Sequence, residues 1–561
     1  MENINHEGFI SKTFNIIISF LSLIILAFFV YISATVTCLV DSNEKTYFMK
    51  DNVFIHVIFT GVILAIMVFL GRFSFFQDLL KEKNKKNLSK VKNIMLAIIF
   101  LMSALFVYFS RLSPVSDQAF VQLAAYGLRS KNYSFFMEGG YIHTYPNQMG
   151  LMLFSYVFFS IFGFGNFLAF QIMNALFLVL FYKRLSDITG FIYEENATPQ
   201  LMVLLFGILF YPLHIYCTFV YGTIPGLALS VSAIYHALKF GKDKFIKNCI
   251  LSALSILAAM LLKSNYLIFF IAIFIYIIMA AIRNKKAILL ALPALFVVAF
   301  LIQAKVPSLI VRQMTGIDVG KGASTYSWIA MGLQDSDLAE GWYNGFNTDS
   351  YEQSGYNPDI NKKMATDAIK ERLEYFSENP YDCLEFFSRK LSSEWNDPSY
   401  EALWIIRPLQ EIRYENNPVR KLLTYNNYFL QIGFLNWLQF FILLGCLLFL
   451  VFKNKNTGNC FEILAITIIG GFLFHIMWEA KSQYTLPYFV LMLPMAAIGY
   501  HKLLFDSKEL FKKNRLRIFL RLVLPLLFFY LIYSGTIGKN LTSDNASYTE
   551  AMQRELEADI R

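Results

Sequence analysis

Charge is what this 561-residue sequence has least of: Asp, Glu, Lys and Arg together make up 16% of it. A soluble domain carries about a quarter of its residues charged, so the shortage excludes an ordinary water-soluble protein. Cysteine is scarce as well. The six that occur (Cys38, Cys217, Cys249, Cys383, Cys446, Cys460) have no paired or metal-ligand spacing. They read as small apolar residues in or near helices, not as a disulfide framework or a zinc site. The chain has no P-loop, no nucleophile elbow, no internal repeat and no low-complexity run. Its formal charge of +9 does not point to nucleic acid, because the basic residues cluster in short loops between apolar runs, where they orient membrane spans.

Hydrophobic residues make up 56% of the chain and aromatics 17%. Apolar runs of about twenty residues recur, each long enough to cross a hydrocarbon core of about 30 Å as a helix. The expected fold is an all-α polytopic membrane protein of about thirteen transmembrane helices. The spans fall near 14–36, 53–71, 93–110, 167–183, 199–217, 224–240, 247–262, 265–282, 287–304, 429–452, 460–478, 484–501 and 517–535. The first has no small-residue cleavage site and reads as an uncleaved helix. With the N-terminus inside, the basic loops Lys81–Lys92, Lys183–Arg184, Lys239–Lys247, Arg283–Lys286, Lys453–Lys455 and His501–Arg517 all face the cytoplasm. Met149–Phe164 is short for a span, and counting it would reverse every later loop, so it is expected as a helix in the outer interface.

Five regions follow: 1–92, a helical pair with a basic loop; 93–304, a transmembrane core with a first outer loop over 111–166; 305–428, an extracytoplasmic helical cap; 429–535, the C-terminal spans; and 536–561, an outer tail. In the cap Ile369, Leu373 and Phe376 share a helical face. Asn379-Pro380 marks the next helix start, and Leu384, Phe387 and Leu391 continue the pattern to Trp395.

Three ionisable clusters sit at expected outer span ends. Ser113-Pro114 reads as a helix start, with Asp117 about one turn in. Asp117 shares a face with Val121, Ala124, Ala125 and Leu128, while Gln118, Gln122 and Arg129 lie on the other. A carboxylate there also suits the helix dipole, which is the plain structural alternative. Lys263 stands between two apolar runs with almost no loop, where a lysine either snorkels or meets an anion. His475, Glu479, Lys481 and Tyr484 form the third group, whose plain reading is a local ion pair with an interfacial aromatic. Mid-span positions are nearly free of ionisable groups, unlike those of a proton-driven transporter.

Pro114-Val115-Ser116-Asp117, the alanine-rich stretch Ala119–Ala125 and Tyr145-Pro146 resemble the first outer loop of the GT-C integral-membrane glycosyltransferases. That group includes protein O-mannosyltransferases (glycosyltransferase family 39-like) and lipid A aminoarabinose transferases. Leu262-Lys263-Ser264-Asn265 resembles the family's Lys-Gly-Pro-like element without its Gly-Pro. Gln483-Tyr484-Thr485-Leu486-Pro487 resembles its Arg-Tyr-x-x-Pro element, with glutamine for arginine. The similarity covers about 93–300 and 460–500. One departure is Thr223, which stands where many members carry a second outer acid, so no metal ligands are assigned and metal dependence is left open.

The resemblance implies a bacterial plasma-membrane enzyme with its active site outside. It would move a sugar from a polyprenyl-phosphate (or diphosphate) carrier to a hydroxyl of an envelope glycan, lipid or protein. Asp117 is then the general base, and Lys263 neutralises the leaving phosphate. His143, Tyr145, Glu479, Lys481 and Tyr484 line the pocket, Met149–Phe164 guides the lipid tail, and Trp328, Trp342 and Trp395 stand in the cap either as acceptor platform or as core. The alternatives are an envelope polysaccharide polymerase or ligase using Arg312, Arg372, Arg389, Arg407, Arg413 and Arg420, and a non-enzymatic lipid-glycan flippase or exporter.

Overall fold

The computed structural model describes residues 9–41, 43–72, 85–193, 197–405, 419, 425–453, 459–534 and 541. The tail 536–561 (apart from residue 541), residues 81–84 and 454–455 of the basic loops, and Arg407, Arg413 and Arg420 therefore lie outside the described residues.

The order is α1 Phe9–Thr35, β1 Val36–Val40, β2 Thr46–Lys50, α2 Val53–Leu70, α3 Lys85–Ser110, α4 Ser116–Ser130, α5 Tyr141–Thr144, α6 Met149–Phe162, α7 Phe167–Ile192, α8 Ala197–Leu209, α9 Pro212–Tyr216, α10 Thr223–Asp243, α11 Ile246–Leu262, α12 Leu267–Asn284 and α13 Ala291–Thr315. The cap follows as α14 Thr325–Gly332, α15 Phe346–Gln353, α16 Pro358–Glu378, α17 Pro380–Trp395 and α18 Ala402–Ile405. The chain then returns through α19 Tyr425–Val451, α20 Glu462–Met477, α21 Ser482–Val490, α22 Leu493–His501 and α23 Ser507–Tyr533.

Among the described residues, nine helices are long and apolar enough to cross a membrane. The count is ten if α21 and the helix after it, bent by 44°, form one broken span. The protein is thus an all-α polytopic membrane protein with a small sheet, and the expectation of thirteen spans is corrected. Three of those expected spans fall short. The one over 199–217 breaks after Leu209, where the chain turns at Pro212. The one over 247–262 is a 17-residue helix. The one over 224–240 is a full helix, α10, but it carries Ser230, Ser232 and His236 and is buried along most of its length. A helix walled by protein has no need to be apolar all round. Met149–Phe162 forms a 14-residue helix that is too short to span.

Two boundaries also move. The run over 287–304 continues as a helix to Thr315, through Pro307, so the cap begins about ten residues later than expected. The segment after α1 is a β-hairpin, not a bare loop. Val-Thr-Cys-Leu-Val and Thr-Tyr-Phe-Met-Lys are rich in β-formers, and they pair antiparallel with Cys38 opposite Phe48. In the cap, the helix break at Asn379-Pro380 falls where the sequence marks it. Phe376 packs with Leu333 and Phe386, whereas Leu373 and Leu384 are exposed.

The two ends of the bundle are held differently. At one end Arg283 pairs with both Glu462 oxygens (3.1 and 3.0 Å), Asn15 donates to Glu462 (2.7 Å), and Lys453 donates to Asn15 (2.6 Å). That network joins α1, α12, α19 and α20, and it brings together two residues assigned to cytoplasmic loops. The hairpin, the first loop and the cap gather at the other end. There the α11–α12 turn is gripped by glycines: a Cβ at Gly222 would run into the Leu262 carbonyl, and one at Gly150 into that of Leu261. Gly222→Ala is expected to destabilise the protein by about 1–3 kcal/mol, the usual cost of overpacking. Thermal unfolding in detergent checks this, with Gly241→Ala, where a Cβ would meet open space, as the control.

Candidate functional site

Asp117 owes its position to a strained entry into α4. The helix begins at Ser116, with Val115 as N-cap and no side-chain cap, so the expected start at Ser113-Pro114 is corrected. Asp117 stands in the first turn itself, where its charge favours the helix dipole. Ser116 just before it has φ +49°, and Arg111 has φ +47°. Left-handed backbone at a non-glycine residue costs about 1–3 kcal/mol and clusters at functional sites. Val121, Ala124, Ala125 and Leu128 are buried as expected. Gln118 and Gln122 are buried too, which corrects their placement on a solvated face. They clamp one residue of the loop before α10: Val220 N donates to Gln118 Oε1 (2.8 Å), and Gln122 Nε2 donates to the Val220 carbonyl (3.2 Å).

Asp117 is exposed by area, yet protein crowds around it, so it faces an open cleft. Burial raises its pKa; Lys481, the Tyr141 hydroxyl hydrogen-bonded to it, and Lys263 all act to lower it, and Glu44 acts to raise it. Lys263 ends α11 in extended backbone, and its Nζ lies 3.3 Å from Thr223 Oγ1. The rings of Tyr221 and Tyr484 flank it, with centroids at 5.7 and 5.4 Å. Among the described residues no carboxylate stands within ion-pair distance of it. Burial accordingly pushes its pKa down to about 8, against the pull of Glu401 and Asp117.

Lys481 is the opposite case. Its Nζ lies 2.9 Å from Glu44 and 3.9 Å from Glu401. Burial works against its charge, but Glu401, Glu44 and Glu479 outweigh that and raise its pKa. Burial pushes Glu479 up to about 7, opposed by Lys481 and reinforced by Asp117 and Glu44. Glu401 is likewise pushed up to about 8 by burial, with Lys481 opposing. Beneath them Lys390 Nζ donates to the carbonyls of Gly332 (2.5 Å) and Trp478 (2.7 Å), fastening the cap to the α20–α21 turn that carries Glu479 and Lys481.

The structure therefore brings together six of the seven site residues read from the sequence. Asp117, Lys263, Glu479, Lys481 and Tyr484 converge, and Tyr145 joins them, sensing both Asp117 and Glu479. His143 goes elsewhere. Its ring packs on Tyr351 (5.8 Å) and Tyr356 (6.0 Å), at the joint between the first loop and the cap. Of the tryptophans, Trp342 and Trp395 are buried, and Trp395 stacks on Phe29 at 4.6 Å. Trp328 is half-buried beside Tyr145 (5.9 Å) and parallel to Trp478 (6.1 Å). The described loop arginines are engaged in the cap and at its entrance: Arg372 with Asp335, Arg389 with Glu340 and Arg312 with Asp318.

Sequence reasoning missed Glu44, Glu401 and Tyr141. Glu44 was detectable, since Asp41 and Asn43 between two β-rich pentapeptides signal a hairpin. Thr223 is buried against the Lys263 ammonium, a poor place for a cation ligand, and among the described residues no three His, Cys, Asp or Glu side chains group to hold a metal ion.

Across α4 from the Asp117 carboxylate lies an apolar groove of about 390 Å³, lined by Pro114, Leu123, Tyr126, Phe159, Phe164 and Phe167. It begins at Ser113-Pro114, just ahead of Asp117. The cleft can present a carboxylate and an ammonium to one polar substrate, and the groove can receive an apolar chain.

The raised Glu479 pKa has a consequence for stability. A carboxyl whose pKa rises on folding from 4.5 to about 7 keeps its proton in the folded chain across that window. The folded state then binds more protons than the unfolded one, so this contribution falls as pH rises from about 4.5 through about 7. Glu479→Gln is expected to unfold at a higher temperature than wild type at pH 8, with the gap closing towards pH 4.5. Melting curves across that range check it.

A comparison with curated proteins finds no match. The family model described as "Conserved hypothetical integral membrane protein" matches residues 9–503, which takes in every element of the cleft described above. The helical, multi-span architecture agrees with that description, and the chain belongs to this family of conserved hypothetical integral membrane proteins.

Proposed function

We propose that the protein is a GT-C-like glycosyltransferase of the bacterial plasma membrane, moving a sugar from a polyprenyl-phosphate carrier to a hydroxyl of a cell-envelope acceptor. The observation that carries the reading is the pairing within one cleft of an accessible carboxylate, Asp117, with a lysine, Lys263, that has no carboxylate within ion-pair distance among the described residues. The acceptor hydroxyl gives its proton to Asp117 as its oxygen bonds to the anomeric carbon. The bond from that carbon to the carrier oxygen breaks, and the electron pair leaves on the phosphate. Lys263 meets the charge that develops there, in a setting of low dielectric where a fixed cation acts strongly. Burial favours this role, since an unpaired ammonium held at a cost gains most when an anion arrives.

The groove across α4 supports a lipid-linked donor. Its volume of about 390 Å³ is that of a small-molecule pocket, its walls are mostly apolar, and it begins at Ser113-Pro114, on the opposite side of the helix from Asp117. Tyr145, with Trp328 and Trp478 beyond it, offers aromatic faces to a sugar. The basic loops argue for a cleft that faces away from the cytoplasm.

The test is release of free polyprenyl phosphate by purified protein given a panel of polyprenyl-phosphate sugars with envelope extract. Wild type is expected to release it from at least one donor. Asp117→Asn should lose about a hundred- to ten-thousand-fold, the range of a positioned general base. Lys263→Met should lose turnover more than donor binding. If wild type releases nothing from any donor, or Asp117→Asn matches wild type, the reading fails.

A further inference from the structure

The hairpin between α1 and α2 lies outside the stretches that resemble the GT-C enzymes, yet it sends a carboxylate into the cleft. Glu44 sits at the turn with φ +65°, a conformation that glycine adopts freely and glutamate does not. The turn is built to hold it there. Asp41 Oδ1 accepts from the backbone N of Asn43 (2.8 Å) and of Lys45 (2.9 Å), while the Asp41 carbonyl accepts from Glu44 N (3.2 Å). The strands are stitched to the cap through Thr46 N to the Leu338 carbonyl (2.9 Å) and Cys38 N to the Asn396 carbonyl (3.2 Å). A strained residue on a pinned turn persists only where the surroundings enforce it.

At that position Glu44 meets two donors. Its Oε2 takes the Lys481 ammonium at 2.9 Å and the Trp342 indole N–H at 3.3 Å. The rings of Trp342 and Trp404 confine the ammonium further, at 5.8 and 5.7 Å. Lys481 is also the strongest of the cations acting on Asp117. We propose that Glu44 is a positioning residue of this cleft: its carboxylate holds the Lys481 ammonium off Asp117, so that the hairpin sets how strongly that base keeps its charge.

The other groups around Asp117 do not duplicate this hold. Glu401 and Glu479 also draw on Lys481, but burial raises the pKa of each, and Glu401 stands 3.9 Å from the ammonium where Glu44 stands at 2.9 Å. Lys263 acts on Asp117 from the opposite turn, and Tyr141, Tyr145, Tyr221 and Tyr484 face it as neutral phenols. With Glu44 neutralised, the Lys481 ammonium is shared among Glu401, Glu479 and Asp117, and its pull on Asp117 grows.

The hold is testable on the full-length protein in detergent without any substrate. Labelling of Asp117 by a water-soluble carbodiimide, read by peptide mass spectrometry across pH, reports its ionisation. Glu44→Gln is expected to move the labelling midpoint to lower pH, Lys481→Met to higher pH, and the Glu44→Gln shift should shrink in the Lys481→Met background. Glu44→Asp, which keeps the charge but shortens its reach, gives a smaller shift in the same direction and serves if the glutamine variant folds poorly. An unmoved midpoint in both Glu44 variants overturns the proposal. So does an undiminished Glu44→Gln shift without Lys481, because Glu44 would then act on Asp117 directly. The consequence for turnover, a matching shift in the acidic limb of the pH–rate profile, rests on the transferase reading. If that reading fails, turnover is lost and the labelling result stands.

Discussion

Taking an ammonium out of water costs several kcal/mol unless nearby carboxylates replace its lost hydration, and the candidate site is arranged around one lysine that meets this condition. Lys481 draws Glu44 from the hairpin, Glu401 from the end of the cap and Glu479 from its own turn towards a single charge. Segments separated by more than 400 residues are fixed to one another by that requirement. Removing either member of the Glu44–Lys481 pair strands the other charge, at a typical cost of about 3–5 kcal/mol.

Lys263 shows what the arrangement leaves unmatched. It has aromatic rings and a threonine hydroxyl where Lys481 has carboxylates, and the difference appears as a pKa pushed down to about 8 for one and raised for the other. The chain also spends backbone energy here. Gly222 and Gly150 press on the turn that carries Lys263, and non-glycine residues with positive φ occur at Ser116, Glu44, Tyr400 and Glu401. Each lies in or next to the cleft. Left-handed backbone also closes helices away from it, at Lys131, Lys244 and Lys285, so what distinguishes the cleft is strain beside an ammonium that lacks a close carboxylate among the described residues.

Legibility followed the range of the interaction that decides each feature. Long apolar runs are decided by their own composition, so the helices over 14–36, 167–183 and 265–282 could be read directly. The helix over 199–217 was misread because its hydrophobicity continues past the break, while Pro212, a local signal, starts a new short helix there. Asp117, Lys263 and Lys481 were visible because an ionisable residue at the end of an apolar run is costly on its face. Gln118 and Gln122 were misplaced because a polar side chain on an amphipathic helix defaults to water, and only the Val220 backbone, about a hundred residues away, explains their burial. Glu44 was missed for a related reason: a five-residue strand gives a weak local signal, and its partner lies 437 residues along the chain.

The helix α4 separates two environments that a lipid-linked substrate would need at once. On one side stand the exposed Asp117 carboxylate and, deeper in the cleft, the Lys263 and Lys481 ammonium groups. On the other is the apolar groove, where Leu123 and Tyr126 remain about half exposed. A phosphate loses heavily in a groove of that kind, and a prenyl chain gains nothing in a cleft of carboxylates. A molecule carrying both would be sorted by these preferences, its chain along the underside of the helix and its head around the strained N-terminus. The Gln118–Gln122 clamp on Val220 keeps that partition rigid by tying α4 to the segment leading into Thr223, the partner of Lys263. A shift of α4 would therefore move the Asp117 carboxylate and one wall of the groove together, and would pull on the segment that leads to the Lys263 partner.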